Sequence, residues 1–236
     1  MPGMKRLEKA AATDAGPCET NQDRTFAGTY QNGDKVSGLF CMADGTGGLS
    51  EGEYAAATAV KAAEDLWNGE LSRLTEGGPF IFESFFALFK GVNRTLKSHA
   101  ESRKIQTATT CSILLILDGM YYIAHSGDSR IYKVDKKLFP KAETLTEDHI
   151  SENGRLTSCL GAFQTPMIFT AGGEIKGSCA FLLCSDGLYR KISHKEMAFM
   201  AKRHKDCETL ADRLVKSALD RKANDNVSAI AVKYTK

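Results

Sequence analysis

The chain has 236 residues, 42% of them apolar and 25% charged, the usage of an ordinary folded globular protein and not of a disordered or collagen-like one. Its 31 basic and 29 acidic residues leave a net charge of +2, too small to gather nucleic acid or an anionic membrane. No apolar run approaches the ~20 residues of a bilayer span and the first residues carry no apolar signal segment, so a cytoplasmic protein with neither partner is expected.

In chain order, an acidic site at Asn21-Gln22-Asp23-Arg24 precedes a short strand expected over residues 25–29. A stronger strand, 38–43, is followed by Asp44-Gly45-Thr46-Gly47-Gly48. Residues 51–67, rich in Ala, and 80–99 read as helices, the second with a stripe of Phe82, Phe85, Phe86 and Phe89 expected to face the core. Strands follow over 111–117, 120–124 and 130–134. Asp118-Gly119 separates the first two with no extra residue, which is the signature of a two-residue hairpin.

A strand over 180–184 runs into Ser185-Asp186-Gly187. Ser193 with Glu196 forms a capping box opening a helix through Met200, and 207–219 continues with Leu210, Leu214 and Leu219 at helical spacing. Residues 227–234, after Asp225-Asn226, close the chain as a strand. No repeat or linker composition marks a boundary, so one domain over 1–236 is expected. Helices gathered in two groups outside runs of strands argue for an α+β layered fold and against alternating β-α-β units.

The seven cysteines, Cys18, Cys41, Cys111, Cys159, Cys179, Cys184 and Cys207, are scattered and mostly embedded in apolar runs. They make neither a disulfide framework nor a zinc pattern, and reduced core thiols are expected. The residues that carry chemistry are carboxylates. Asp44, Asp186 and Asp225 each abut an apolar strand, and Asp23 precedes one. Carboxylates at the ends of neighbouring buried strands converge on one rim and repel unless a cation sits among them. Oxygen donors without His or Cys suit Mg2+ or Mn2+ better than zinc. Read singly, Asp44-Gly45 or Asp186-Gly187 is also consistent with a mere turn.

Asn21-Gln22-Asp23-Arg24, Ala43 to Gly48, Thr109-Thr110, Gly127-Asp128-Ser129-Arg130, Leu145 to His149, Leu160-Gly161, Ser185-Asp186-Gly187-Leu188 and Asp225-Asn226-Val227 together resemble the motif series of the PPM (type 2C) serine/threonine phosphatases of bacterial type, in that family's order. The resemblance implies a four-layer αββα sandwich of two antiparallel sheets flanked by helices, with metals at one end. It implies that Asp44 bridges two ions with the Gly45 carbonyl as a further ligand, that Asp186 and Asp225 hold one of them, and that Asp23 sits near it, partly through water. Asp44 and Asp186 are then the catalytic pair. Asp128 resembles the ligand, with Asp186, of a weaker third ion. The implied reaction is Mg- or Mn-dependent hydrolysis of phosphoserine and phosphothreonine in proteins, with a phosphorylated protein as substrate and a serine/threonine kinase as the opposing partner. Such esters hydrolyse extremely slowly unaided. Paired metal ions acidify a water and clamp the phosphoryl oxygens, so no Ser or Cys nucleophile is needed.

Three departures from the family pattern stand out. Thr46 occupies the place of a His that several eukaryotic members carry, leaving His125 and His149 as the nearest alternatives for leaving-group protonation, although each also fits a strand-end or loop role. Cys18 stands where a phosphate-binding Arg is usual, unless Arg24 or Arg155 reaches the site. Only residues 150–159 separate His149 from Leu160, where a flap segment is usual. Two other readings compete: a non-catalytic phosphatase-like binding module, and a phosphatase of a small phosphorylated metabolite.

Overall fold

The computed structural model describes residues 5–46, 48–74, 79–135 and 137–236, with side chains undescribed over 70–74; Gly47 of the Asp44 motif lies outside the described residues. Two five-stranded antiparallel sheets face each other. One has the order β2 (Asp23–Asn32), β3 (Lys35–Asp44), β4 (Cys111–Leu117), β5 (Met120–Ser126), β8 (Phe169–Glu174). The other runs β1 (Arg6–Asp14), β10 (Val227–Thr235), β9 (Cys179–Cys184), β6 (Arg130–Asp135), β7 (Ala142–Thr144). Helices α1 (Gly52–Leu74) and α2 (Pro79–Arg103) cover the first sheet; α4 (His194–Arg203) and α5 (Cys207–Asp220) cover the second. The expected αββα sandwich is what the chain forms.

Side-chain alternation explains how three apolar layers arise from six-residue to ten-residue strands. In β9 all positions are buried. Cys179, Phe181 and Leu183 face the opposite sheet, while Ala180, Leu182 and Cys184 face α4 and α5. In β3, Phe40 and Met42 face between the sheets, and Leu39, Cys41 and Ala43 face α1 and α2. Strands buried on both faces read as continuous apolar runs, which is why these were legible in sequence.

The hairpin at Asp118-Gly119 is confirmed by positive φ at both residues (41° and 93°), the conformation a tight two-residue connection requires. Ser193 and Glu196 exchange both capping-box hydrogen bonds at the start of α4. The aromatic stripe needs correction. Ile81, Phe85, Phe89, Val92 and Leu96 form the buried face of α2, Phe82 is partly buried, and Phe86 is exposed. Aromatic content drew the stripe one position too wide.

Three strands escaped sequence reading for different reasons. Strand β1 is an edge whose small Ala10 and Ala12 pack on the core while its charged residues face water, a pattern without apolar weight that also blunts edge-to-edge pairing. Strand β7 is three residues long, and β8 contains Gly172-Gly173. Pairing with β10, β6 and β5 makes them strands.

The two sheets are joined by the layer of Phe40, Leu114, Ile123, Ile131, Phe181, Ile230 and Val232, with the Tyr121 ring 5.6 Å from that of Phe181. Phe181→Ala is expected to cost about 3 to 5 kcal/mol, from lost burial plus an unfilled cavity. Urea unfolding should show the midpoint falling with the slope unchanged; a loss under ~1 kcal/mol would contradict this role.

Candidate metal centre

At one end of the sandwich the inter-sheet layer changes chemistry. Asp23 of β2 is paired directly with Asp44 of β3, so both carboxylates lie on the face that Met42 and Phe40 present to the other sheet. Beneath them the same faces carry hydroxyls and an imidazole in place of apolar groups. The Thr110 and Ser129 hydroxyls meet at 2.9 Å, Ser112 meets His125 Nδ1 at 2.8 Å, and the Ser185 hydroxyl accepts from the Ser228 amide at 2.9 Å. All six residues are buried. This polar layer separates the apolar core from the carboxylates above it.

A cleft of about 330 Å³ opens over that layer, lined by Asp44, Asp128, Asp186 and Asp225, by Thr46 and Thr110, and by Arg155 and Arg190. The structure thus brings Asp44, Asp128, Asp186 and Asp225 together around one opening, with Asp23 under it. A larger groove, about 800 Å³, lies between α1 and α2 and gathers no such set of carboxylates.

Each carboxylate is set by a specific local device. Asp44 is anchored through its backbone: its amide donates to the Thr110 hydroxyl at 3.0 Å and its carbonyl accepts from the Thr110 amide and the Thr109 hydroxyl, each at 2.9 Å. Gly45 continues the ladder as a bridge to Thr109, with its amide donating to Gln22. Thr109 in turn exchanges backbone hydrogen bonds with Leu160, which ties the Leu160-Gly161 motif to the same rim. Asp186 opens the single turn α3 (Asp186–Tyr189) at the end of β9.

Asp225 sits before β10, and its neighbour Asn226 stitches the chain around it. The Asn226 side chain accepts from the Gln22 amide at 2.8 Å and donates to the Ala15 and Thr20 carbonyls at 2.8 and 3.1 Å. Asp128 follows Gly127, whose φ of +123° no ordinary residue adopts comfortably and whose Cα side is filled by Thr110. His149 accepts from the Gly127 amide at 3.2 Å, and His125, stacked on His149 at 5.3 Å, binds the Gly127 carbonyl at 2.9 Å.

The electrostatics is that of carboxylates crowded together, with Arg190 paired to two of them. Asp44 is pushed well above the usual carboxylate range, by burial first and then by Asp23, Asp186, Asp128 and Asp225. Burial raises Asp23 to about 6, with Asp186 and Asp225 adding to the rise and the Ser228 and Ser185 hydroxyls opposing it. Those hydroxyls stand beside Asp23 without completing a well-directed hydrogen bond, so both its oxygens are buried and unpartnered. Asp128 rises to about 6, from burial and Asp186, with Arg190 working against it; Asp186 is raised by burial, with Arg190 again opposing.

An orphaned buried carboxylate costs several kcal/mol unless something positive reaches it. Oxygen-only donors of this kind fit a hard divalent cation, so the residues present suit Mg2+ or Mn2+. Among the described residues, no three carboxylates already meet at one point as a finished cage. What the fold sets is their shared rim.

The remaining sequence candidates separate clearly. His125 is buried, bonded on both ring nitrogens and lowered to about 4 by burial and His149, so it is a structural prop of the Gly127-Asp128 turn. Cys184 is buried with its thiol pushed up to about 12, a strand residue against Met197. Six of the seven cysteines are buried and all are free thiols. Cys18 is half-buried outside the cleft lining. Arg24 spends its guanidinium on the Asn21 and Asp23 carbonyls at 2.7 and 2.8 Å, which leaves it turned to the backbone. Arg155, exposed on the 150–159 loop, lines the cleft and makes no ion pair among the described residues.

Sequence reading missed Arg190, whose Nη2 stands 2.8 Å from Asp186 Oδ2 and 3.8 Å from Asp128 Oδ2. The spacing of Asp186 and Arg190, four residues apart on one helical turn, was the available signal.

Residues 18–224 match the family described as protein phosphatase 2C. The serine/threonine phosphatase stp of Listeria innocua is 26% identical over 233 residues, covering 90% of this chain and 89% of that protein. Among solved structures, the serine/threonine phosphatase of S. agalactiae superposes with a TM-score of 0.82 at 23% identity, covering 98% of this chain and all of that one. The catalytic domain of the serine/threonine protein phosphatase PstP, in complex with two manganese ions, gives 0.79 at 22% identity, with coverage of 98% and 100%.

The carboxylate strain is measurable without a substrate. With its folded value raised from 3.8 to about 6, Asp23 contributes stability that is fully present below pH ~3.8 and lost as pH rises through about 6. His125, lowered to about 4, has the opposite sign: its contribution is present above pH ~6.5 and lost as pH falls through about 4. Asp23→Asn removes only the first. In metal-free protein at pH 8 it should therefore gain on the order of 1 to 3 kcal/mol, after the buried amide's own needs are met, or ~3 to 8 °C in melting temperature. The gain should vanish near pH 4. Unchanged or lower melting at pH 8 would show that Asp23 is not strained.

Proposed function

The chain belongs to the protein phosphatase 2C family, and from that premise we propose that its acidic rim holds two divalent cations which serve the hydrolysis of phosphoserine and phosphothreonine in proteins. The chain is a metal-dependent serine/threonine protein phosphatase. The observation that carries the site assignment is the convergence of five aspartates on one end of the sandwich, with both Asp23 oxygens buried and unpartnered.

The residues to hold the ions are Asp44 with the Gly45 carbonyl, Asp186, Asp225 and, deepest, Asp23. When bound, such cations activate a water and neutralise charge developing on the phosphoryl group. The chain's own groups do the rest. Thr109 and Thr110 hold the Asp44 backbone, and Asn226, next to Asp225, pins the segment that leads into Asp23. Arg155, which lines the cleft and makes no ion pair among the described residues, is suited to bind phosphoryl oxygens and so to replace the Arg absent at Cys18. The Thr46 hydroxyl, buried and without a well-directed partner, lines the same cleft. With His125 neutral and committed on both nitrogens, protonation of the leaving alcohol is left to solvent water or to His149, whose Nδ1 accepts from the Gly127 amide.

Either Mg2+ or Mn2+ fits these donors. A weaker third ion on Asp128 and Asp186 would have to displace Arg190 from both carboxylates. The reading takes the chain as one catalytic domain. None of the described helices is long and apolar enough to cross a membrane. Seven free thiols agree with a cytoplasmic setting in which a kinase supplies the phosphorylated protein.

The test is hydrolysis of a phosphothreonine peptide and of a panel of phosphorylated metabolites, with and without Mn2+. Metal-dependent turnover of the peptide above the metabolites is expected, and the reverse order would assign the site to small molecules. Asp44→Ala and Asp186→Ala should each lower Mn-dependent hydrolysis of an aryl phosphate by more than ~100-fold, since losing even an outer partner of a ligand costs ~10 to 100-fold. Circular dichroism should remain that of the folded chain; near-normal activity in either variant would refute the assignment. Arg155→Ala should raise KM for the aryl phosphate about tenfold, with kcat much less affected, because a contact present in both ground and transition states acts on binding. An unchanged KM would remove Arg155 from phosphate capture.

A further inference from the structure

Two of the aspartates at the cleft already have a cation of their own. Arg190 Nη2 lies 2.8 Å from Asp186 Oδ2 and 3.8 Å from Asp128 Oδ2, so one guanidinium spans both carboxylates. The side chains of Asp128 and Asp186 are 10% and 12% exposed, whereas that of Arg190 is 52% exposed, so the guanidinium lies on the solvent side of this pair.

The arrangement is built into the local chain. The Arg190 amide donates to the Asp186 carbonyl at 3.0 Å, which completes the turn and carries the side chain back over the Asp186 carboxylate. The turn is held from below. The ring of Tyr189, next in sequence, is covered by the Arg130 guanidinium at 3.9 Å, and Arg130 itself is gripped by Asp148 through contacts of 2.6 to 3.1 Å. Leu188 is fully buried.

We propose that Arg190 is a built-in cation for Asp128 and Asp186, so that this pair binds no further divalent ion and the cleft works with two metal ions and one guanidinium. The inference rests on the metal-centre reading above. A guanidinium stays charged at any working pH and cannot dissociate. It therefore supplies its positive charge whatever the ion concentration, and a dication entering between Asp128 and Asp186 meets a like charge within contact distance. Asp186 can still offer an oxygen to the ion it shares with Asp225, while Asp128 serves as the partner that keeps Arg190 in place.

The test counts ions and does not depend on turnover. Mn2+ is titrated into metal-free wild type, Arg190→Ala, Arg190→Lys and the double variant Arg190→Ala/Asp128→Ala, and bound ion is followed by loss of the free-ion paramagnetic resonance signal up to millimolar concentration. Wild type and Arg190→Lys should take two ions. Arg190→Ala should take a third, weaker one, and adding Asp128→Ala should abolish it. Three ions in wild type, or only two in Arg190→Ala, overturns the role of Arg190 and leaves the two-ion reading standing. No Mn2+ binding in wild type would overturn the metal-centre reading and this inference with it. Arg190 is half exposed, so the variants should fold, which circular dichroism checks.

Discussion

The constraint on which the molecule turns is the burial of negative charge at one end of a β-sandwich. Asp23 and Asp44 face each other across β2 and β3, and Asp186 and Asp225 extend from β9 and toward β10 in the opposite sheet. Two sheets packed about an apolar layer bring those strand ends together whether or not the charges agree to it. The energy of the core forces carboxylates into mutual proximity that they would avoid in water. Such crowding favours any cation that neutralises it.

The surroundings are arranged to survive that strain. Between Phe40, Ile131 or Phe181 and the carboxylates lies a layer of hydroxyls and a neutral imidazole, each with partners of its own. The Ser185 and Ser228 hydroxyls beside Asp23 partly offset its desolvation without completing a hydrogen bond to it. Motif residues other than the five cleft aspartates belong to this support. Thr109-Thr110 and Leu160-Gly161 hold Asp44; His125 and His149 hold the turn of Asp128; Arg130 and Asp148 hold the floor beneath Tyr189.

Two features set this cleft apart from a simple ring of acids. Positive charge enters from Arg155 and Arg190, while Cys18 stays outside the lining and Arg24 is turned to its own backbone. The short 150–159 loop, closed by the Ile150 to Leu156 bridge, leaves the opening accessible and puts Arg155 at its edge.

The sequence by itself determined much of the framework. Strands buried on both faces showed as unbroken apolar runs, the capping box of Ser193 and Glu196 and the hairpin of Asp118-Gly119 are local chemistry, and Asp44, Asp186 and Asp225 stood out because each abuts such a run. Those signals need only near neighbours. Tertiary structure alone decided the rest. Strand β1 exists because β10 pairs with it, Phe86 faces water because Ile81 and Phe85 face the sheet, and His125 is a prop because Ser112 and Gly127 claim both its nitrogens. The choice among Arg24, Arg155 and Arg190 was hidden because a guanidinium's role depends on which acceptors the packed fold leaves within its reach: Arg24 turns to the carbonyls of Asn21 and Asp23 beside it, whereas Arg190 lies over Asp186 and is brought by the packed sheets to Asp128, in a distant segment.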